Sequence, residues 1–220
     1  MEASLVYGWY GKVPCLGDFV RSGLSPQFVS AWDEWMQKLL TTADEELGDR
    51  WGDCYFSAPI WRFAISAGMT GPRAVAGIVM PSVDRVGRQY PLCLAVEIDA
   101  PVWIAYQAVE PIFASLEEAA LAMLEDGSSL PFLKEMLMRL PLPRTPPLPR
   151  LSTIGLGKAI VADDSPEFAL AAFAVSEPSS IWIANVKGTN RMLMTSTLPS
   201  DPQQATALFD IHSPQWVFQN

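Results

Sequence analysis

Two loops in this sequence carry charged side chains that packing alone does not explain. One is GKVPCLGDFVR (11–21) and the other is PSVDRVGRQYP (81–91). Their candidate binding residues are Lys12, Asp18, Arg21, Asp84, Arg85 and Arg88. An arginine side chain offers a planar fork of N–H donors that fits a carboxylate or a phosphate. The pattern predicts a surface that binds a partner, with the first loop close to the second if the first strand lies beside it.

A structural role for the same residues is the alternative. An Asp side chain can cap a turn by accepting backbone N–H groups, and it can pair with a nearby arginine. In that interpretation Asp84 caps its loop and pairs with Arg85 or Arg88, while Asp18 caps the first loop. A plain hairpin needs only two turn residues, whereas the second loop is much longer and has a proline at each end. Both interpretations can hold for different residues.

The sequence lacks the residue patterns of common hydrolases. Ser/His/Asp and Cys/His catalysis need a histidine that accepts a proton, and the only histidine is His212, near the end of the sequence. No serine stands in a G-x-S-x-G motif. The segment GLGKA (155–159) lacks the first glycine of a P-loop and the Ser or Thr that follows its lysine, so it predicts a glycine turn. We therefore expect a protein that is not an enzyme.

Ligands for a metal are also poorly placed. Asp163–Asp164 and Glu117–Glu118 are neighbours in the sequence, and adjacent side chains diverge on a helix or a strand. No C-x-x-C occurs, and Cys15, Cys54 and Cys93 are predicted to be free thiols of a cytosolic protein. We expect no metal and no cofactor.

The length and composition predict one large globular domain over 1–220, or one domain with an appendage. Half of the 220 residues are apolar and 18% are charged, which favours a sizeable core. A net charge of −9 disfavours binding to nucleic acid or anionic lipid, where Lys and Arg supply most of the affinity. The first residues, MEASLVYGWYGK, contain no basic segment followed by an apolar one. No apolar run approaches the ~18 residues of a membrane span, so we expect a cytoplasmic protein without membrane insertion.

The clearest helix is predicted to begin after Ser25, a good N-cap, with Pro26 in its first turn. Its apolar side chains recur at helical spacing, at Phe28, Trp32, Trp35 and Leu39. Four polar residues lie off this stripe and are expected to meet water: Asp33, Glu34, Gln37 and Lys38. The helix is predicted to fade over 42–47, before a glycine.

Strands are predicted at 4–12, 60–66, 74–80 and 92–98. The runs AVAGIVM and LCLAVEI are almost wholly apolar, and such runs indicate strands that are covered on both faces. That pattern favours a central sheet with helices above and below it. Helices are predicted over 101–126, with a break at Pro111, and over 130–140.

The last third of the sequence predicts further strands after a proline-rich stretch. PLPRTPPLPR (141–150) is half proline and predicts a polyproline II connector on the surface. Strands are predicted at 168–175, 180–186 and 191–196, with a hairpin turn at 187–190. Pro202 is predicted to open a short helix that runs to Phe209.

Four segments carry a resemblance to a known family: GWYGKVPCLGDFVRSGLSPQFVSAWDEWMQKLL (8–40), WRFAISAGMTG (61–71), GIVMPSVDRVGRQYPLCLAVEI (77–98) and SIWIANV (180–186). They resemble the TagF family, also called ImpM or SciT, accessory proteins of the bacterial type VI secretion system. The family pattern G-W-Y-G-K-x-P-x-x-G-D-F, W-D-x-W and P-S-V-D-R-V-G-R is matched nearly throughout. The last third departs from the family: Trp182 stands alone in its strand, and no glycine accompanies Leu198-Pro199 before the final helix.

The resemblance implies a three-layer α-β-α sandwich around a mixed sheet. Short loops between adjacent apolar strands favour antiparallel pairs within it. It also implies a cytoplasmic, post-translational repressor of apparatus assembly, whose partner is the forkhead-associated-domain scaffold protein of the system. The family offers no catalytic residues to transfer. A structural part of the apparatus and a hydrolase with an unrecognised site are the alternatives.

Overall fold

The computed structural model describes residues 5–146, 150–154, 157–161 and 178–217. The α-helices are α1 (Pro26–Leu47), α2 (Trp51–Ser57), α3 (Val102–Val109), α4 (Phe113–Ala122), α5 (Leu130–Met138) and α6 (Pro202–Phe209). The strands are β1 (Gly8–Gly11), β2 (Val20–Ser22), β3 (Trp61–Ile65), β4 (Ala74–Met80), β5 (Leu92–Ile98), β6 (Arg150–Ile154), β7 (Gly157–Val161), β8 (Ser180–Val186) and β9 (Thr189–Thr195). Short 3₁₀ turns lie at Gly48–Arg50, Glu110–Ile112 and Pro214–Trp216.

Seven of the strands form one sheet in the order β2-β1-β5-β4-β3-β8-β9, and β6 pairs with β7. Every pairing among the described strands is antiparallel. The first strand therefore lies beside β5, with Trp9 opposite Leu94 and Tyr10 opposite Cys93. This order places the loop that follows β1 next to the loop that enters β5.

Helices cover both faces of the sheet. One buried cluster joins the sheet to α3, α4 and α5, and the other joins it to α1, α2 and α6. Neighbouring residues of β4 divide between the two clusters, with Ile78 in the first and Val79 in the second. All residues of β4 and β5 are buried, because both faces of these strands contact helices. The predicted three-layer α/β sandwich with antiparallel pairs is confirmed, and the described part of the predicted mixed sheet is antiparallel throughout.

Helix α1 begins where its capping residues predict. The Ser25 hydroxyl accepts the Phe28 N–H at 3.2 Å, which satisfies one of the backbone donors that a helix start leaves without a partner. The predicted apolar stripe is buried against the sheet, and the Trp32 ring lies 5.0 Å from the Phe63 ring of β3. The helix thereby holds one face of the sheet, next to the candidate loops.

Several elements differ from the predictions. The first strand is shorter than 4–12, and the sequence did not predict β2, α2, β6 or β7. Edge strand β2 has only three residues, two of them exposed, so it shows little of the alternation that marks a strand. The connector predicted at 141–150 has no regular secondary structure over 141–146, while Arg150 begins β6. The strand predicted at 168–175 and the Asp163–Asp164 pair lie outside the described residues.

Candidate partner-binding surface

The two charged loops lie side by side, as the sequence predicted. The Arg85 backbone N–H donates to the Leu16 carbonyl at 2.8 Å, and the Ser82 hydroxyl donates to the Lys12 carbonyl at 2.8 Å. The antiparallel pairing of β1 with β5 brings the loops together, because the end of β1 lies beside the start of β5. One loop follows β1 and the other precedes β5. The loops therefore form one surface at this end of the sheet.

Gly11 permits this close approach. Its φ is +142°, and a Cβ built there would lie 2.1 Å from the Pro91 carbonyl oxygen. A contact that short cannot be relieved by turning a side chain, because the neighbour is backbone. Any larger residue at this position would push the two loops apart.

The Asp84 carboxylate is the centre of the second loop. Its Oδ1 accepts the backbone N–H groups of Val86 at 3.1 Å and Arg88 at 2.9 Å. Its Oδ2 contacts the Lys12 ammonium at 3.2 Å and the Arg88 Nε at 2.6 Å. Gly87 closes the turn with a φ of +85°, a conformation that glycine adopts without strain. Asp84 thus caps its own turn and also binds the other loop.

These contacts decide the protonation of Asp84. Burial alone would raise the pKa of its carboxyl group, since water no longer solvates the charge. The hydrogen bonds from the Arg88 amide and guanidinium, the Lys12 ammonium and the Val86 amide outweigh that effect, and they hold the pKa well below its usual value of 3.8. Asp84 is therefore ionised at neutral pH.

Arg88 connects the loops a second time. While its Nε binds Asp84, its Nη2 donates to the Gly17 carbonyl at 2.6 Å. The guanidinium is thus used mainly to hold the fold, although its side chain is 62% exposed. In contrast, Arg85 binds the first loop through its backbone N–H, and among the described residues its side chain makes no ion pair.

The six predicted site residues fall into two groups. Lys12 and Asp84 are buried, and their contacts match the structural interpretation of the sequence. The other members are exposed: Asp18, Arg21, Arg85 and Arg88. The Asp18 Oδ1 accepts the N–H of the next residue at 2.7 Å, and Asp84 pairs with Arg88 rather than Arg85. The exposed side chains of the surface therefore lie next to a buried ion pair between Lys12 and Asp84.

Sequence reasoning missed an aromatic cluster beside these charges. The Phe19 ring is 40% exposed, stacks on Tyr10 at 5.6 Å and meets Tyr90 edge-on at 4.7 Å. The Lys12 ammonium lies 5.1 Å from the centre of the Phe19 ring, a cation–π contact. Tyrosine and phenylalanine in the two loop motifs were the available signal, but nothing in their spacing showed that they meet.

Asp33 of α1 holds the two tyrosines of this cluster in place. The sequence placed Asp33 in water, whereas its Oδ1 accepts the hydroxyl groups of Tyr10 at 2.7 Å and Tyr90 at 3.0 Å. Gln37 donates to its other oxygen at 2.7 Å. Burial, with the hydrogen bond to Asp33, raises the pKa of Tyr10 above its ordinary value, and burial, with the nearby charges, does the same for Tyr90. Both phenols therefore remain neutral donors, and their rings form a fixed base for Phe19.

The other candidate residues from the sequence are the neighbouring carboxylates, His212 and the three cysteines. Among the described residues, no group of three or more His, Cys, Asp or Glu side chains could hold a metal ion. Glu117 pairs with Arg62 at 2.6 Å, whereas Glu118 is exposed. His212 is exposed, and its backbone N–H donates to Asp210. The three cysteines are free, as predicted.

Comparison with known proteins identifies the family. The model of the TagF N-terminal domain, described as type VI secretion system-associated, matches residues 8–140. This chain belongs to the TagF family. The matched segment includes both charged loops and α1, so the resemblance drawn from the loop motifs is confirmed. The protein is accordingly associated with the type VI secretion system, and the extension of the domain to residue 220 stays a prediction.

A solved structure is similar to this chain over most of its length. The crystal structure of PA0076 from Pseudomonas aeruginosa PAO1 is 31% identical, with a TM-score of 0.78. The match covers 97% of this chain and 99% of the other. No curated protein matches the chain significantly. None of the helices that the structure describes is both long and apolar enough to cross a membrane.

Proposed function

We propose that the protein is a regulator that represses assembly of the type VI secretion apparatus by binding its forkhead-associated-domain scaffold protein. In this proposal it acts in the cytoplasm, after translation, and catalyses no reaction. Membership of the TagF family supports the general role, and the likeness to that family suggests the repressor role and the partner. The binding surface is the pair of charged loops.

One observation about the loops carries the proposal. Arg85 is exposed on a turn that the buried Asp84 holds to Lys12 and Arg88. Its side chain can bind a partner without first being ordered, because the turn beneath it is already fixed; such preorganisation lowers the cost of association. Exposed arginines and aromatic residues are also the side chains that contribute most to protein interfaces.

Capture of the purified scaffold protein tests the binding surface. Immobilised protein should retain the scaffold, and Arg85→Ala should weaken retention while leaving the melting temperature unchanged. Arg144→Ala is the matched control, because Arg144 is also exposed but lies on the connector after α5. Equal retention by Arg85→Ala and wild type would place the binding surface elsewhere.

Secretion by living cells tests the direction of the effect. Deleting the gene should raise secretion of an effector protein if the protein is a repressor, and it should abolish secretion if the protein is a structural part of the apparatus. Reintroducing the wild type or Arg144→Ala should restore the low level, whereas Arg85→Ala should not. Abolished secretion after deletion would overturn the proposed repressor role.

A further inference from the structure

We propose that the two loops bind an acidic segment of a protein, in which carboxylates flank an apolar side chain. The inference rests on the proposed function and names the chemistry of its partner. The surface concerned, the Phe19 patch, comprises Leu16, Phe19, Arg21, Arg85 and Val86.

The Phe19 patch is continuous. The Leu16 carbonyl accepts the Arg85 N–H, and a Cβ built on Gly17 would lie 3.6 Å from the Arg85 guanidinium. Arg21 lies in β2, and Phe19 is the residue that immediately precedes this strand. Arg21 pairs with Tyr10 across the ladder, and Tyr10 stacks on Phe19.

The apolar part of the patch is ordered yet exposed. Leu16 is 38% exposed and Val86 is 70% exposed, on loops joined by a backbone hydrogen bond. Phe19 is held by two tyrosine rings, as described above. An exposed aromatic ring with a fixed position is suited to receive an apolar side chain, because little conformational entropy is lost on binding.

The carboxylates around the two arginines of the patch are bound mainly to other groups. Asp84 is occupied by Lys12 and Arg88, and Asp33 is occupied by the two tyrosine hydroxyls and Gln37. Asp18 adds one exposed carboxylate, which accepts a backbone N–H. Among the described residues, neither Arg21 nor Arg85 lies within ion-pair distance of a carboxylate.

These guanidinium groups are notable on an acidic protein. The chain has 24 acidic and 15 basic residues, so its overall charge repels acidic partners. Arg21 and Arg85 make no ion pair with any described residue, and together they outnumber the exposed Asp18, so the local charge beside Phe19 is of opposite sign. A carboxylate can receive two parallel N–H donors from one guanidinium, which makes acidic side chains the complementary groups.

A peptide titration tests the inference directly. A short synthetic peptide with glutamates around one leucine is added to isotope-labelled protein, beside an analogue in which glutamine replaces every glutamate. The acidic peptide should shift the backbone amide resonances of 16–21 and 84–88, and the glutamine analogue should not. Arg85→Gln should lower the affinity for the acidic peptide about tenfold, which is the expected effect of losing one charge-assisted hydrogen bond. Arg144→Gln should leave the affinity unchanged.

Each outcome decides a separate point. Equal binding of both peptides, or binding of neither at the patch, would overturn the inference. If the scaffold protein is captured but Arg85→Glu and Phe19→Leu do not weaken its capture, the inference fails, the binding surface lies elsewhere, and the proposed repressor role stands. If the acidic peptide binds the patch but the scaffold is not captured by wild-type protein, the inference holds and the proposed function fails.

Discussion

The Lys12 ammonium contacts the Asp84 carboxylate at 3.2 Å, and their side chains are 9% and 0% exposed. A buried ion pair adds little net stability by itself, but removing one partner leaves a charge without compensation. Here the pair joins the loop after β1 to the loop before β5. The pair therefore fixes the position of the turn that carries Arg85 relative to the other loop.

Replacing Asp84 by Asn should destabilise the protein in a pH-dependent way. The folded-state pKa of Asp84 lies below its ordinary value of 3.8, so the ionised carboxylate stabilises the fold above about pH 4. That contribution is lost as the pH falls through the folded-state pKa. The free energy of unfolding should therefore differ most between wild type and Asp84→Asn near neutral pH, and the difference should narrow in acid. Urea unfolding followed by tryptophan fluorescence measures it, and a difference that does not vary with pH would contradict the prediction.

The two arginines of the second loop should respond differently to substitution. Arg88→Ala removes hydrogen bonds to Asp84 and to the Gly17 carbonyl, and it should lower the free energy of unfolding by about 1 kcal/mol, after allowance for solvent exposure. Arg85→Ala keeps the backbone hydrogen bond to Leu16 and should change stability by less than about 0.5 kcal/mol. Thermal and urea unfolding compare the two variants. Equal losses would mean that Arg85 also supports the fold.

Alanine at Gly11 should be severely destabilising. The added Cβ would meet the Pro91 carbonyl oxygen at 2.1 Å, and the expected loss is about 3 kcal/mol or more. Gly52 in α2 is the matched control, because a Cβ there meets nothing within 4 Å. Gly52→Ala should raise stability by about 0.5–1 kcal/mol, the helix-propensity difference between the two residues. A folded and stable Gly11→Ala protein would show that the loops can separate at little cost.

The three thiols should differ in reactivity. Cys15 is partly exposed, whereas Cys54 and Cys93 are buried, and burial raises the pKa of both buried thiols. A chromogenic thiol reagent at neutral pH should therefore modify Cys15 first, and Cys93 only after unfolding, because the thiolate is the reactive form. Mass spectrometry of partly modified protein identifies the site. Early modification of Cys93 would show that the sheet opens readily.

Local signals in the sequence were sufficient to predict the helices and strands that have strong hydrophobic patterns. The cap and the apolar stripe predicted α1, and continuous apolar runs predicted that β4 and β5 are covered on both faces. Helix α2 was missed because WGDCYFS contains a glycine and aromatic residues that favour strands. It forms through tertiary packing: Cys54 and Tyr55 are buried, and the Tyr55 hydroxyl donates to the Ser82 carbonyl at 2.7 Å.

The candidate surface was predicted only as a location. Proximity of the two loops followed from the expected neighbourhood of the first strand, and the capping role of Asp84 followed from its residue type. The sequence did not predict which of these charged side chains are buried and which are exposed, because burial depends on the pairing of β1 with β5, a long-range contact. The aromatic base of Phe19 likewise needs residues from β1, α1 and the loop before β5 to meet.

The position of β3 has a consequence for synthesis of the chain. One edge of β3 pairs with β4, a near neighbour in sequence, but the other pairs with β8, which begins at Ser180. On the ribosome, that second edge stays without its partner until most of the polypeptide has emerged. Unpaired edges readily pair with other chains, so the nascent protein passes through a stage at which this edge of β3 is open to pairing with other chains.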